Sequence, residues 1–263
     1  MSTWNDFWRD YQALPPSTGK PYLVESDCEI ALHFDFWSIQ SHMRKTDPDK
    51  LTVGYTRTMM GFLLFQPRPE QIAMVGLGGG SLAKYCLRHL PNTHFTAVEI
   101  NPDVISLRDK FGIPPDGPHF KVLCDDGAIY VQDHSELVDV LIVDGFDQYG
   151  QAEQLCSREF YGNCHAKLRD GGVLVVNLLS NDTRSVAFAE KIRDSFDGQV
   201  VIVEAEESGN IIAFAYKGMD FPPLKATLKE RVMYLSPTHT ISFRPIAQKM
   251  IRRLDQHISW IHF

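Results

Sequence analysis

The feature that most constrains this chain is a short apolar run that opens into glycines, Gln71–Gly76 followed by Leu77-Gly78-Gly79-Gly80. Glycines between a strand and a helix permit a tight turn and let the main chain approach a bound group with no Cβ in the way. From this point the hydrophobic pattern alternates between strand and helix. A helix is expected at Ser81–His89, a strand at Thr93–Ile100, a helix at Pro102–Phe111, a strand at Phe120–Cys124 and a helix around Ala128–Asp133. The next strand, Val138–Val143, is apolar enough to be covered on both faces, as strands of a parallel sheet are. A helix near Glu153–Arg169 ends at Asp170-Gly171-Gly172, a C-cap signal, and Val173–Leu178 forms a fifth strand. After a helix at Thr183–Phe196 come strands Val200–Glu204 and Ile211–Tyr216. The link between those two is too short for a crossover, so they run antiparallel.

Five β/α units closed by an antiparallel pair predict an α/β fold with a Rossmann-like, class I methyltransferase-type sheet of seven strands. Ahead of it, residues 21–40 alternate apolar and polar positions and read as two short strands, a small N-terminal β element. Thr46–Lys50 is a loop around Pro48, and Tyr55–Phe65 is a helix closed by Pro67 and Pro69. The chain thus divides into an N-terminal element with its linking helix (1–65), a nucleotide-binding domain (66–218) and a tail (219–263) that is amphipathic in places.

A formal net charge of −7 argues against a nucleic-acid surface, which needs Lys and Arg to neutralise phosphates, and is compatible with a cationic ligand. No stretch approaches the length and apolarity of a membrane span, and Met1–Pro16 lacks the apolar segment of a signal peptide, so a cytoplasmic protein is expected. Five cysteines without CxxC spacing and ten histidines without HExxH spacing suggest neither a disulfide framework nor a metal site.

Gly76, Gly78, Gly79 and Gly80, with Ser81 opening the helix, are the candidate nucleotide loop. Glu99 ends the second strand, 19 residues beyond Gly80, where a carboxylate can accept hydrogen bonds from both ribose hydroxyls; the bland alternative is an acid capping the helix after Asn101-Pro102. Gly78-Gly-Gly80-Ser-Leu-Ala83 also satisfies the GxGxxA dinucleotide fingerprint, so these residues leave nicotinamide dinucleotides and S-adenosylmethionine both open. The third strand ends in Asp125-Asp126-Gly127, where a carboxylate can receive the adenine amino group or serve as a solvated loop acid. Strand four ends in Asp144-Gly145-Phe146-Asp147, two acids at the carboxyl edge of the sheet, placed to bind a cationic amine and deprotonate it or to form a turn.

In this order the motifs resemble the spermidine synthase (polyamine aminopropyltransferase) family from about Gln40 to Tyr216. That family's GGGDGG loop, acid after strand two, GD[GA] and DxxDP look like Gly78–Ala83, Glu99, Asp126-Gly127 and Asp144–Asp147 here, and Leu155–Tyr161 is similar to the segment that follows. The resemblance implies donation by decarboxylated S-adenosylmethionine, or by S-adenosylmethionine itself, to a small amine such as putrescine, with no metal. It implies Asp144 and Asp147 as catalytic acids, Gln40 and Tyr55 on the substrate side, and a homo-oligomer of two or four copies. The chain departs from the pattern at Ser81, where the family has Asp, at Gln148, where it has Pro, at Thr56 beside Tyr55, and at Asn177 after strand five. Ser81 makes a donor that keeps its carboxylate easier to accept. Methyl transfer on the same scaffold, a catalytically silent nucleotide-binding protein and a nicotinamide-dependent oxidoreductase are the alternative readings.

Overall fold

The computed structural model describes residues 20–34, 39–147, 150–207 and 209–255. Its first element is a small antiparallel sheet of β1 (Tyr22–Glu25), β2 (Glu29–His33) and β3 (Ile39–Arg44). The expected pair over 21–40 is therefore three strands. The period-two pattern continues beyond Gln40, with Ser41 and Met43 turned inward, and carries β3 to Arg44. Residues 35–38 lie outside the described residues. Helix α1 (Gly54–Met59) follows and tightens into a 3-10 turn at Met60–Leu64, so the helix expected over Tyr55–Phe65 is α-helical only in its first half. Gly61 sits in this turn because a Cβ there would come within 2.8 Å of Ile246 and 3.0 Å of Phe214.

The glycine-ended run is strand β4 (Gln71–Val75), leading into α2 (Ser81–His89). Strands β5 (His94–Glu99), β6 (Phe120–Cys124) and β7 (Val138–Val143) alternate with short helices α3 (Pro102–Ile105) and α4 (Gly127–Tyr130). Helix α3 stops after one turn where a helix to Phe111 is expected. Phe111 and Ile113 are fully inside, pressed against Gly79 and Gly80, and a continuous helix gives way to the turn at Gly112, where φ is +61°. A two-stranded ribbon, β8 (Phe146–Asp147) and β9 (Gly150–Gln151), follows β7; Gln148 lies outside the described residues. Helix α5 (Arg158–Lys167) begins at Ser157, whose hydroxyl caps the Phe160 N–H at 2.9 Å, later than the expected Glu153. Its C-cap residue Leu168 already starts β10 (Leu168–Leu179), and Arg169–Gly172 form an irregular first part of that strand rather than a helix end. Helix α6 (Ser185–Ser195), β11 (Val200–Glu204) and β12 (Asn210–Tyr216) complete the main sheet.

That sheet has seven strands in the order β11-β12-β10-β7-β4-β5-β6. Pairing is parallel from β10 through β6, and β12 is antiparallel to both its neighbours, as the short link before it requires. The chain steps outward from β4 to β6 and then returns to β7 on the other side of β4. The crevice at such a switch point, outside the carboxyl ends of the strands, is where open α/β sheets hold ligands. Strand β7 is buried along its whole length, including Asp139. Asp139 lies at the end of the strand away from that crevice, where its carboxylate accepts the Glu70 and Gln71 N–H groups at 2.7 and 2.8 Å and meets Arg169 at 3.1 Å.

Apolar side chains fill both faces of the sheet. One face packs Tyr161 of α5, Ile192 of α6 and its C-cap residue Phe196 against Leu174, Val176 and Ala213. The other joins the N-terminal sheet, the 3-10 turn and the last two helices, α7 (Lys225–Leu235) and α8 (Phe243–Asp255), in one cluster. In α8 the residues Phe243, Ile246, Ala247 and Met250 are all buried, a spacing that puts them on one helical face against β11 and the 3-10 turn. Among the described residues no helix is long and apolar enough to cross a membrane, and no group of three or more His, Cys, Asp or Glu is placed to hold a metal ion.

Candidate active site

A cavity of about 710 Å³ opens at the switch point, between the carboxyl edge of the main sheet and β3 and α1. It falls in the size range of small-molecule sites. Gln40, Tyr55, Asp144 and Asp147 line one end, and Gly76, Gly78, Ser81, Glu99, Asp126 and Gly127 line the other. Gly79 and Gly80 do not reach the cavity wall. A Cβ on Gly79 would lie 2.6 Å from the Ser41 hydroxyl and 2.7 Å from Phe111, and one on Gly80 2.6 Å from Ile113, so these two glycines seat the loop against protein.

The glycine end is built from main chain. Gly76 has φ +93° and its missing Cβ would stand 2.3 Å from the Asp144 carbonyl oxygen, so glycine lets β4 and β7 stay paired to their tips. Gly80, at φ +66°, is the N-cap of α2, and the first turn of that helix begins at Ser81. Glu99 is buried, and its two carboxylate oxygens accept the Leu77 and Asn101 N–H groups, each at 2.9 Å. Each oxygen keeps lone-pair capacity for one further donor. The capping alternative for Glu99 does not hold, because Asn101 itself caps α3 through the Asp103 N–H at 2.9 Å. Asp126 caps α4 with one oxygen, 2.8 Å from the Ala128 N–H, and its neighbour Asp125 is an exposed loop acid bonded to the Asp126 N–H. Gly127 is required beneath it, since a Cβ would meet Val75 at 2.2 Å.

The opposite end is built from side chains that come together from distant segments. Asp144, at the tip of β7, accepts a hydrogen bond from Asn177 Nδ2 at 2.8 Å and another from the Tyr55 hydroxyl. Asn177 Oδ1 in turn accepts from Asn210 Nδ2 at 2.9 Å. Burial pushes the Asp144 carboxyl above the ordinary aspartate range, and the Asn177 and Tyr55 donors pull it part of the way back. Burial and the adjacent Asp144 charge together hold the Tyr55 phenol well above its usual range. Asp147 lies in β8, more exposed than Asp144, and its charge reaches Arg184. Arg57 of α1 lies two residues beyond Tyr55 and bonds to the segment that precedes Asn210. Its guanidinium meets Glu206 at 3.1 Å and Glu207 at 2.6 Å, in the link between β11 and β12, and also donates to the Leu51 and Thr52 carbonyls.

Residues 52–204 match the family model described as the spermine/spermidine synthase domain, more than half of the chain. The chain belongs to the spermine/spermidine synthase family. A polyamine aminopropyltransferase of Neisseria meningitidis is 36% identical over 81% of this chain and 82% of its own length. A polyamine aminopropyltransferase of Chromobacterium violaceum is 38% identical over 71% and 72%. Among solved structures, a spermidine synthase in complex with the transition-state analogue AdoDATO superposes with a TM-score of 0.67 at 20% identity, covering 89% of each chain. Human Methyltransferase-like protein 13 in complex with SAH gives 0.62 at 20% identity, covering 79% of this chain and 95% of that one. At these identities the two structures speak for the shared Rossmann-like fold alone.

Within this spermidine synthase fold, the glycine end and the acids Asp144 and Asp147 after β7 are visible in the sequence, Asn177 is visible there only as a departure from the family pattern, and Asn210 and Arg57 are not. Asn177 carries a signal of its own: it is a lone amide in an otherwise apolar strand, Val173-Leu-Val-Val-Asn177-Leu-Leu179. A buried amide in such a run needs a partner. Asn210 and Arg57 carry no comparable signal, because their partners are 33 and about 150 residues away in the chain.

Proposed function

We propose that this chain transfers an aminopropyl group from decarboxylated S-adenosylmethionine to a small amine of the putrescine type. The observation that carries the reading is the pairing in one cavity of a glycine-loop end, with Glu99 offering two acceptor oxygens, and a half-buried carboxylate, Asp144, aligned by Asn177 and Tyr55. Glu99 would hold the ribose hydroxyls, Asp126 the adenine amino group, and the loop through Gly76, Gly78 and Ser81 the remainder of the donor. The donor supplies a carbon already activated by its sulfonium. The work left to the protein is alignment and proton removal. An amine arriving as its ammonium form is attracted to Asp144 and Asp147. A carboxylate whose pKa is raised by burial is a stronger base than an ordinary aspartate, so Asp144 is suited to take the ammonium proton and free the nitrogen lone pair, which then forms its bond to carbon as the carbon–sulfur bond breaks and the neutral thioether leaves. Tyr55 and Gln40, from α1 and β3, wall the amine side, so the N-terminal element supplies acceptor contacts to a donor held by the main sheet.

Methyl transfer is the less favoured reading, because the relatives at 36–38% identity over more than two thirds of this chain are polyamine aminopropyltransferases. A cytoplasmic setting and an assembly of two or four copies belong to the same proposal and rest on family resemblance. The test is steady-state turnover with decarboxylated and intact S-adenosylmethionine, each offered with putrescine and a panel of longer diamines. Amine-dependent release of methylthioadenosine from the decarboxylated donor is expected. A methylated amine formed from the intact donor, with no turnover of the decarboxylated one, would overturn the proposal.

A further inference from the structure

Asn210 opens β12, and because β12 runs antiparallel to its neighbours its first residue lies beside the last residues of the parallel strands. Its main chain is pinned on both sides. The Asn210 carbonyl accepts the Ala205 N–H at 2.9 Å, and the preceding Gly209 carbonyl accepts the Ser180 N–H and hydroxyl, both at 2.8 Å. Asn177, 2% exposed, stands between it and Asp144. A carboxylate oxygen can only accept, so the Asn177 amino group must face Asp144. Its carbonyl oxygen then faces Asn210 and needs a donor there. The order Asn210 to Asn177 to Asp144 is thereby forced, with every N–H pointing toward the carboxylate.

We propose that Asn210 is a positioning residue for the amine-activating carboxylate, acting through Asn177 to hold Asp144 in one orientation and in its charged form. The inference rests on the aminopropyl-transfer reading for its catalytic meaning, but its physical content is a property of the protein alone. Donors aligned along such a chain polarise one another, so the last bond, to Asp144, is strengthened by the first. Tyr55 on α1 supplies the second donor to Asp144, while Asp147 on β8 and Glu99 on β5 border the same cavity. Those three groups are unchanged by a substitution at 210.

Two substitutions separate this role from direct contact with the amine. Asn210→Ala removes the first donor. Asn210→Asp replaces it by an acceptor that faces the Asn177 carbonyl oxygen and repels it. If Asn210 acts through Asp144, both variants lower kcat, Asp more than Ala, by about tenfold for Ala, with the amine KM within about twofold. The acidic limb of the pH–rate profile and the titration of the Asp144 side chain, followed by carbon-13 carboxyl shifts on substrate-free protein, both move upward by about half a pH unit. Asn210→Gln, which keeps a donor amide, returns the titration toward the wild-type position. If Asn210 instead contacts the cationic amine, Asn210→Asp lowers the amine KM and leaves the Asp144 titration in place, and the proposal is wrong. The titration requires no turnover. Wild-type protein that releases no methylthioadenosine would sink the functional reading, while a fixed Asp144 titration in the variants would sink the relay.

Discussion

The two ends of the cavity are made by different means. At the glycine end the ligand-facing surface is main chain and capped helix starts: positive-φ glycines, a Glu99 carboxylate held by two N–H groups, and Asp126 locked as an N-cap. At the amine end it is side chains from α1, β7, β10 and β12, joined by bonds that span long sequence separations. Main-chain geometry tolerates substitution around it provided the glycines stay. A side-chain network fails with its members.

The sharpest way to break this comparison is Asp144→Asn. The amide can still accept from Asn177 through its oxygen and still fill the same space, but it cannot take a proton. We expect kcat to fall by roughly a thousandfold, with donor affinity by calorimetry unchanged. Asp144 has a raised pKa in the folded protein, so its ionisation above that pKa works against folding; removing the charge leaves thermal stability at pH 7 unchanged or slightly higher. A large loss of donor binding in this variant would mean that the two ends are not separate.

Glu99→Ala attacks the other end. It removes two acceptor oxygens from the ligand and also orphans the Leu77 and Asn101 N–H groups. Two charge-assisted hydrogen bonds lost correspond to about a hundredfold weaker donor binding, with a fall in stability of about 1–3 kcal/mol by urea unfolding. The Asp144 titration should stay where it is. Movement of that titration would show electrostatic coupling across the cavity.

The same contrast explains what could be read from the chain. The succession of the seven main strands along the chain and the antiparallel run of the closing pair follow from apolar runs and link lengths, and the glycine end from spacing within one β/α unit, because both are local. Helix lengths were less legible. Phe111 and Ile113 are drawn under the glycine loop and Gly61 against α8, and such tertiary contacts override propensity. The amphipathic part of the tail carries the spacing of a buried helical face in Phe243, Ile246, Ala247 and Met250, but nothing along the chain says which surface that face covers. The Asn210–Asn177–Asp144 chain was not legible, because nothing along the sequence says that an antiparallel last strand brings its first residue to the edge where β7 ends.

Arg57→Ala sharpens the comparison behind Tyr55 on α1. The guanidinium links α1 to the β11–β12 turn through Glu206 and Glu207, beside the Glu206 N–H bond to the Thr58 hydroxyl. Glu207 is largely exposed, so the pair contributes modestly, about 1 kcal/mol or less. The expected signature is a rise of about three- to tenfold in amine KM with donor affinity retained. Equal loss of both affinities would place Arg57 in the general scaffold.

The smallest effect is expected where the glycine end relies on one buried charge. Lys84 of α2 is 3% exposed, and its ammonium donates to the Phe111 carbonyl at 2.6 Å and to Met43 Sδ at 3.0 Å, which ties the helix behind the glycine loop to β3. Burial pushes its pKa down to about 8. A lysine whose folded pKa lies below its unfolded value gives up its proton first in the folded state. The unfolded chain therefore binds more protons between pH 8 and the ordinary lysine range, and stability gains with pH across that window. Lys84→Met removes this gain. Relative to wild type, the variant should be within about 1 kcal/mol at pH 7 and fall behind by about 2 kcal/mol at pH 10, read as the difference between urea unfolding curves so that other titrating groups cancel. Donor affinity at pH 7 should change by less than about threefold, because the loop amides and Glu99 remain in place. A larger loss would mean that the glycine end depends on the charge held behind its loop as well as on Glu99.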